Sequence, residues 1–417
     1  MNKEFIKKYG TLLLLAIGAG SIFQLPYIRE SFYIPIQNAM NLTNAQMGAL
    51  TAWYAIVATP AYFLGGIVAD KFSPKIMLTF SFIATGLLGF WFSTFPGYEI
   101  SRIIFALMGL TTVMTYWSSV IKATRMLGTS EEQGRLFGLQ EGLRGFVNAG
   151  IVFAMTAVFA HYTNNVHGAA WAIRFCAAEL TAVGILCFIF IKGNSEEKSE
   201  PLKDIFVGMF RCFKYPRVWM LTGIVFTAYS IYALMSYINT YAVNFCGMSE
   251  ASAATLGGVR YLLQGIGGIC GGFLADKLHS RLKTIGIFAG LLSLSWAAFI
   301  FIPGETAMLM PVLGNFCFGV ILVYSIRSLY FADIDEACLP VHLTGRVSGI
   351  LSCFGYLPDV FLLTLTGSWL DSYAGKTGYN MIFVYAVAMG LLCMIISFSL
   401  YCIIKKKKQS DPQGATE

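Results

Sequence analysis

Apolar residues run through this chain in long blocks, and its polar residues collect in the short gaps between them. The blocks cover roughly 10–37, 46–68, 77–95, 98–124, 136–160, 168–191, 218–244, 251–273, 284–302, 307–330, 346–370 and 380–404. Most hold about 20 to 27 residues, which at about 1.5 Å of rise each is enough for a tilted helix to cross a hydrocarbon core about 30 Å thick. The pattern therefore predicts an all-α membrane protein with twelve transmembrane helices. The longest polar stretch, 192–217, carries Ser195-Glu196-Glu197-Lys198-Ser199-Glu200-Pro201 and falls between the sixth and seventh blocks. It predicts an N-terminal six-helix bundle over 1–191, a cytoplasmic linker over 192–217, a C-terminal six-helix bundle over 218–404 and a basic tail over 405–417.

The two halves repeat one another. Gly65-Gly66-Ile67-Val68-Ala69-Asp70-Lys71 follows the second block, and Gly271-Gly272-Phe273-Leu274-Ala275-Asp276-Lys277 follows the eighth, 206 residues later. A second echo pairs Gly134-Arg135-Leu136-Phe137-Gly138 with Gly345-Arg346-Val347-Ser348-Gly349 at a shift of 211, a difference that one loop insertion accounts for. Two echoes in order, at equivalent places, predict a duplicated membrane protein whose pseudo-symmetric halves work against each other, the architecture of a transporter.

Composition sharpens this picture. Apolar residues make up 56% of 417 and charged residues 12%, against roughly 25% charged in soluble domains, and the mean hydropathy of +0.66 is sustained along the whole length. The net charge of +7 is a matter of topology and not of a nucleic-acid partner. With the blocks alternating sides, all but six of the 29 Lys and Arg fall in or beside gaps on one side. Arg102 and Lys376 face the other side, and Arg29, Arg144, Arg174 and Arg260 lie inside blocks. Such asymmetry places both termini in the cytoplasm. The ten cysteines all follow residue 175, mostly inside apolar runs without Cys-x-x-Cys spacing, and read as small packing residues. Lys3, Lys7 and Lys8 ahead of the apolar residues 12–15 imitate a signal peptide, but the apolar run continues past a signal core and reads as a retained first span. The chain has no phosphate-binding Walker loop, nucleophile triad or metal-ligand cluster, so neither ATP-driven pumping nor enzymatic chemistry is expected, and no cofactor.

An ionisable group deep in a span costs on the order of 2.5–3.5 kcal/mol and therefore faces a bundle interior or a water-filled cavity. Arg29 lies about 19 residues into a first span bent at Pro26; it is a candidate anchor for a substrate anion, the alternative being a structural pair with an acid on another helix. Arg260 precedes Gln264 by one turn, so both share a helix face, and its repeat partner is Tyr54, which with Trp53 offers an aromatic wall or plain packing. Glu141 and Arg144, three residues apart, either neutralise each other or leave Arg144 for the substrate and Glu141 for a proton. Asp359, in mid-span after Gly355-Tyr356-Leu357-Pro358, is the leading proton carrier, or else a tie to Arg29 or Arg260. Glu30, a further candidate for proton coupling, points about 100° away from Arg29 around the helix. Tyr229, Tyr232, Ser236 and Thr240 form a polar stripe on the seventh span, near Tyr237 and Asn239; Tyr232 and Ser236, with Tyr356, are candidates to bind the substrate. Lys122, Arg125, Arg327, Asp333, Asp335 and Glu336 fall at cytoplasmic ends, where gating ion pairs or topology signals account for them.

The loop phrase Gly66, Asp70, Lys71, Ser73 and Lys75, with its degenerate copy Gly272, Asp276, Lys277, Ser280 and Arg281, resembles the signature of the major facilitator superfamily, and the likeness extends over essentially the whole chain. Ser73 stands where that family usually has Gly, and Lys71 where Arg is commonest. The resemblance implies a secondary transporter working by alternating access, a substrate site where the two bundles meet, and a latch in which Asp70 holds the start of span eleven. Tyr27-Ile28-Arg29-Glu30-Ser31-Phe32, followed by Pro35, is similar to the first helix of organophosphate/phosphate antiporters, where an arginine at this depth binds the anion; their second arginine, on helix seven, has no counterpart between 227 and 240. Together these point to a small organic anion carried by proton symport or by exchange, by a protein functional as a monomer in a bacterial inner membrane. A proton-coupled exporter of lipophilic cations and, more remotely, a transporter-like sensor are the other readings.

Overall fold

A computed structural model describes residues 3–128, 132–191, 212–330, 333–337, 339 and 344–410. Every described element is helical: α1 Lys3–Ser21, α2 Arg29–Met40, α3 Asn44–Lys71, α4 Pro74–Phe92, α5 Tyr98–Gly109, a π-helical turn Leu110–Met114, α6 Trp117–Arg125, α7 Gln133–Ala160 and α8 Asn165–Phe190. The second half holds α9 Pro216–Leu234, α10 Ser236–Cys246, α11 Glu250–Leu278, α12 Arg281–Phe301, α13 Leu309–Leu329, the short α14 Asp333–Glu336, α15 Thr344–Gly355, α16 Pro358–Ser372 and α17 Lys376–Ser410. Among the described residues, nine helical segments are long and apolar enough to cross a membrane. The expected first, second and eighth spans are occupied by α1 with α2, by α3 (28 residues) and by α11 (29 residues). Most of the expected linker, 192–211, and the tail end, 411–417, lie outside the described residues.

Helix ends form where the sequence supplies caps. Thr43 and Gln46 close a reciprocal pair ahead of α3, each side chain accepting from the other's backbone N–H at 3.1 and 3.0 Å. Asn164 accepts from the Val166 and His167 amides to open α8, and Ser280 accepts from the Lys283 amide to open α12. Along α4, Ile76, Phe80 and Leu87 are each more than half exposed, a stripe whose natural solvent is lipid.

The chain forms two compact units, one of Met1–Ser199 with Ser249–Leu262, the other of Glu200–Met248 with Leu263–Glu417. In the first, α4 packs along α8, α3 against α5, and α1 against α7 and α8. In the second, α12 packs along α17, and α9 against α15 and α17. Shifted by half a chain, the α4–α8, α1–α7 and α1–α8 partnerships recur as α12–α17, α9–α15 and α9–α17, so the duplication read in the loops is also present in the packing of the helices.

The repeated glycine pair shows how. A Cβ on Gly65 would lie 3.0 Å from the Met114 carbonyl oxygen, and one on Gly271 would lie 2.7 Å from that of Ser325. Each first glycine thus brings its helix against the backbone of the helix two spans on, an approach no larger residue permits. Gly272, one residue later, has nothing within 4 Å. Gly271→Leu is accordingly expected to cost about 1–3 kcal/mol by overpacking, whereas Gly272→Leu leaves the unfolding temperature of the purified protein nearly unchanged.

Candidate functional site

The first unit builds its polar centre around a break in the first helix. Pro26 has no N–H to give and its ring crowds the preceding turn, so α1 ends at Ser21 and regular helix resumes only at Arg29. The break frees polar side chains for the interior. Ser21 donates to Glu179 at 2.8 Å, and Gln24 donates to Asn148 at 3.1 Å. Arg29 is 3% exposed, with its guanidinium 5.0 Å above the Tyr33 ring. Tyr27 meets Tyr54 edge to face at 5.5 Å, and the Tyr54 hydroxyl accepts a bond from Thr112, beside the π-helical turn. Tyr54 is therefore an interior aromatic in the same cluster as the first helix. Trp53, one residue earlier and about 100° around the helix, lies 4.7 Å beneath the guanidinium of Arg102 and is exposed.

Glu30 and Arg260, which the sequence suggested for separate roles, meet as one ion pair. Arg260 Nη1 is 3.1 Å from Glu30 Oε2 and Nη2 is 3.4 Å from Oε1, with the side chains 4% and 11% exposed. The 100° divergence of neighbouring helical residues aims Glu30 away from Arg29 and toward α11, where Gly257 and Gly258 leave room for Ser31 and Phe153. Arg144 is partly buried on α7; the Glu141 side chain lies outside the described residues, as do those of Gly66, Asp70 and Lys71, so the expected latch and the Glu141–Arg144 pair are not described. Lys75 lies 4.4 Å over the Phe188 ring.

In the second unit Asp359, 4% exposed at the start of α16, accepts a 2.6 Å hydrogen bond from the Tyr229 hydroxyl. Tyr229 also packs on Tyr356 and Tyr232 at ring separations of 4.5 and 5.4 Å. Around them Arg327 lies 3.7 Å from the Tyr232 ring centre and 5.6 Å from those of Tyr229 and Tyr324. Arg327 is the residue that sequence reasoning underrated, because it stands at the end of its span. Glu179 was missed altogether, although a lone carboxylate amid the sixth apolar block is itself a signal. Of the remaining stripe residues, Ser236 bonds back to the Ala233 carbonyl, and Thr240 accepts from Tyr379. Gln264 is partly buried one turn beyond Arg260.

At the end of the eighth span Asp276 and Lys277 are exposed. The next helix start is braced instead by Glu336, which accepts from the Arg281 and Leu282 amides at 2.6 and 3.2 Å and from the Ser280 hydroxyl, placing a carboxylate at the positive end of α12. Neighbouring Asp333 is fully buried; burial and the nearby Glu336 push its carboxyl well above the usual range, with Arg281 opposing.

Residues 10–362 match the family model of the Major Facilitator Superfamily. The chain is 32% identical to Inner membrane protein YihN of Escherichia coli (strain K12) over 97% of both chains. It is 21% identical to the Hexuronate transporter of Bacillus subtilis (strain 168), over 90% of this chain and 91% of that one. Against the Probable sulfoacetate transporter SauU of Cupriavidus necator it is 22% identical over 75% of each. Its fold is similar to the inward-facing, unoccupied crystal structure of a bacterial homolog of the human lysosomal transporter Spinster, with a TM-score of 0.75, 15% identity and 99% of both chains covered. A duplicated all-α membrane fold, matched by family and by relatives along nearly its full length, makes the chain a multi-pass transporter that belongs to the Major Facilitator Superfamily.

Proposed function

We propose that this transporter moves a small organic anion across the bacterial inner membrane by alternating access, in symport with a proton, through twelve spans with both termini in the cytoplasm. The observation that carries this reading is Arg29: a guanidinium held 3% exposed at the helix break of the first unit, 5.0 Å above the Tyr33 ring. Arginine offers a fork of donors suited to carboxylate, sulfonate or phosphate and stays charged at any working pH. Relatives named for hexuronate and sulfoacetate, both organic anions, support the same class, and the inner-membrane relative supports the location.

Uptake into proteoliposomes from a panel of carboxylates, sulfonates and phosphate esters, with and without a pH gradient, tests it. Wild-type protein is expected to take up at least one anion, and Arg29→Gln to raise its KM about tenfold or more, the loss of one charged hydrogen-bonding partner. Anion uptake unchanged by that substitution removes Arg29 from the site.

A further inference from the structure

We propose that Arg327 and Tyr324, within the tyrosine cluster of the second unit, form an oxyanion-binding site for the carboxylate or sulfonate head of the transported solute. This rests on the organic-anion reading above and deepens it with a binding group that lies wholly within the second unit.

A basic residue at the end of a span ordinarily extends its stem and keeps its head in water. Arg327 does the opposite. It stands in the last turn of α13, and its guanidinium turns in among aromatic rings, closest to Tyr232 at 3.7 Å. Contact with ring faces satisfies the charge through the quadrupole of the rings. It does not answer the in-plane N–H donors, which point outward from the edge of a guanidinium and need acceptors of their own. Arg327 Nη1 is buried and has no hydrogen-bond partner among the described residues, and the same holds for the hydroxyl of Tyr324, three residues earlier and one turn away on the same helix.

Two buried donors from adjacent turns thus lack acceptors. Native interiors rarely leave such groups unanswered, since each costs about 1–3 kcal/mol. The Tyr229 hydroxyl is committed to Asp359 Oδ2 at 2.6 Å and the hydroxyls of Tyr330 and Tyr356 lie 3.3 Å from each other, and neither contact meets Arg327 Nη1 or the Tyr324 hydroxyl. What fits the vacant positions is an acceptor-only group with two oxygens and a negative charge. A carboxylate or sulfonate meets that description, and the Tyr232 ring packs against the guanidinium at 3.7 Å.

The site is tested with D-glucuronate and sulfoacetate as probes, in proteoliposomes of the full-length protein and by ligand-induced shifts in the unfolding temperature of the purified protein. In wild type, uptake of either probe is expected. Arg327→Gln then raises KM about tenfold or more, Arg327→Lys restores only part of the loss because it keeps the charge without the planar fork, and Tyr324→Phe raises KM several-fold with an unchanged unfolding temperature. A lowered unfolding temperature with wild-type KM in Arg327→Gln makes the arginine a brace and overturns the site; wild-type KM in Tyr324→Phe removes the hydroxyl from it. Should well-folded wild type take up neither these probes nor any other anion, the organic-anion reading itself fails and the site falls with it. Where Arg327→Gln does not fold, the Lys and Phe variants carry the test.

Discussion

Arg260→Met, made alone, is expected to destabilise the protein by on the order of 3–5 kcal/mol, because it takes the Arg260 charge away from a largely buried Glu30 carboxylate. The pair is closed by two contacts, at 3.1 and 3.4 Å, and its side chains are 4% and 11% exposed. Surface ion pairs are worth about 0–1 kcal/mol, so burial decides the magnitude here. Glu30→Gln alone should cost less, since an amide oxygen still accepts from the guanidinium. The double variant Glu30→Leu/Arg260→Met, which removes both charges, should recover most of the Arg260→Met loss, as replacing a buried pair by apolar groups is often neutral. A double-mutant cycle on unfolding in detergent measures this. A coupling below about 0.5 kcal/mol would mean that the two charges are solvated independently, against the geometry seen here.

The duplication, the helical class and the helix break were legible because each rests on local or periodic signals. Block length against bilayer thickness pointed to membrane-crossing helices, nine of which are long and apolar enough among the described residues, and the Gly-Gly…Asp-Lys echo pointed to the repeat, which reappears physically in Gly65 against Met114 and Gly271 against Ser325. Pro26 announced the break that sets Arg29 apart from α1. The partners of the charged residues were not legible, because they depend on which helix faces which. Glu30 and Arg260 are 230 residues apart, and Tyr229 and Asp359 are 130 apart; no spacing rule connects them.

Arg327 shows the same limit from the other side. A span-end arginine has the identical sequence signature whether its head reaches water or folds back onto aromatic rings, and only the convergence of Tyr229 and Tyr232 from α9 with Tyr324 from its own helix separates the two. Glu179 likewise gains meaning only from Ser21, 158 residues away, whose hydroxyl reaches it through the break in the first helix.

Asp359→Asn is expected to abolish concentrative uptake while leaving exchange intact. The asparagine side-chain oxygen still accepts the Tyr229 hydroxyl that now bonds the carboxylate at 2.6 Å, so the tyrosine cluster keeps its shape, but the position can no longer gain or lose a proton. If one proton accompanies each anion through Asp359, a gradient of two pH units supports about 100-fold accumulation in wild type, each unit being worth about 1.36 kcal/mol. In the variant the accumulation ratio falls to one, whereas counterflow of labelled against unlabelled solute, which needs no net proton movement, continues. Accumulation that persists in Asp359→Asn would move the coupling proton elsewhere, and Glu179, whose Oε2 has no partner among the described residues, would be next to test. The same variant separates the rival reading: an exporter of lipophilic cations would lose binding altogether when Asp359 is neutralised and would tolerate Arg29→Gln, the reverse of what a proton-driven anion carrier requires.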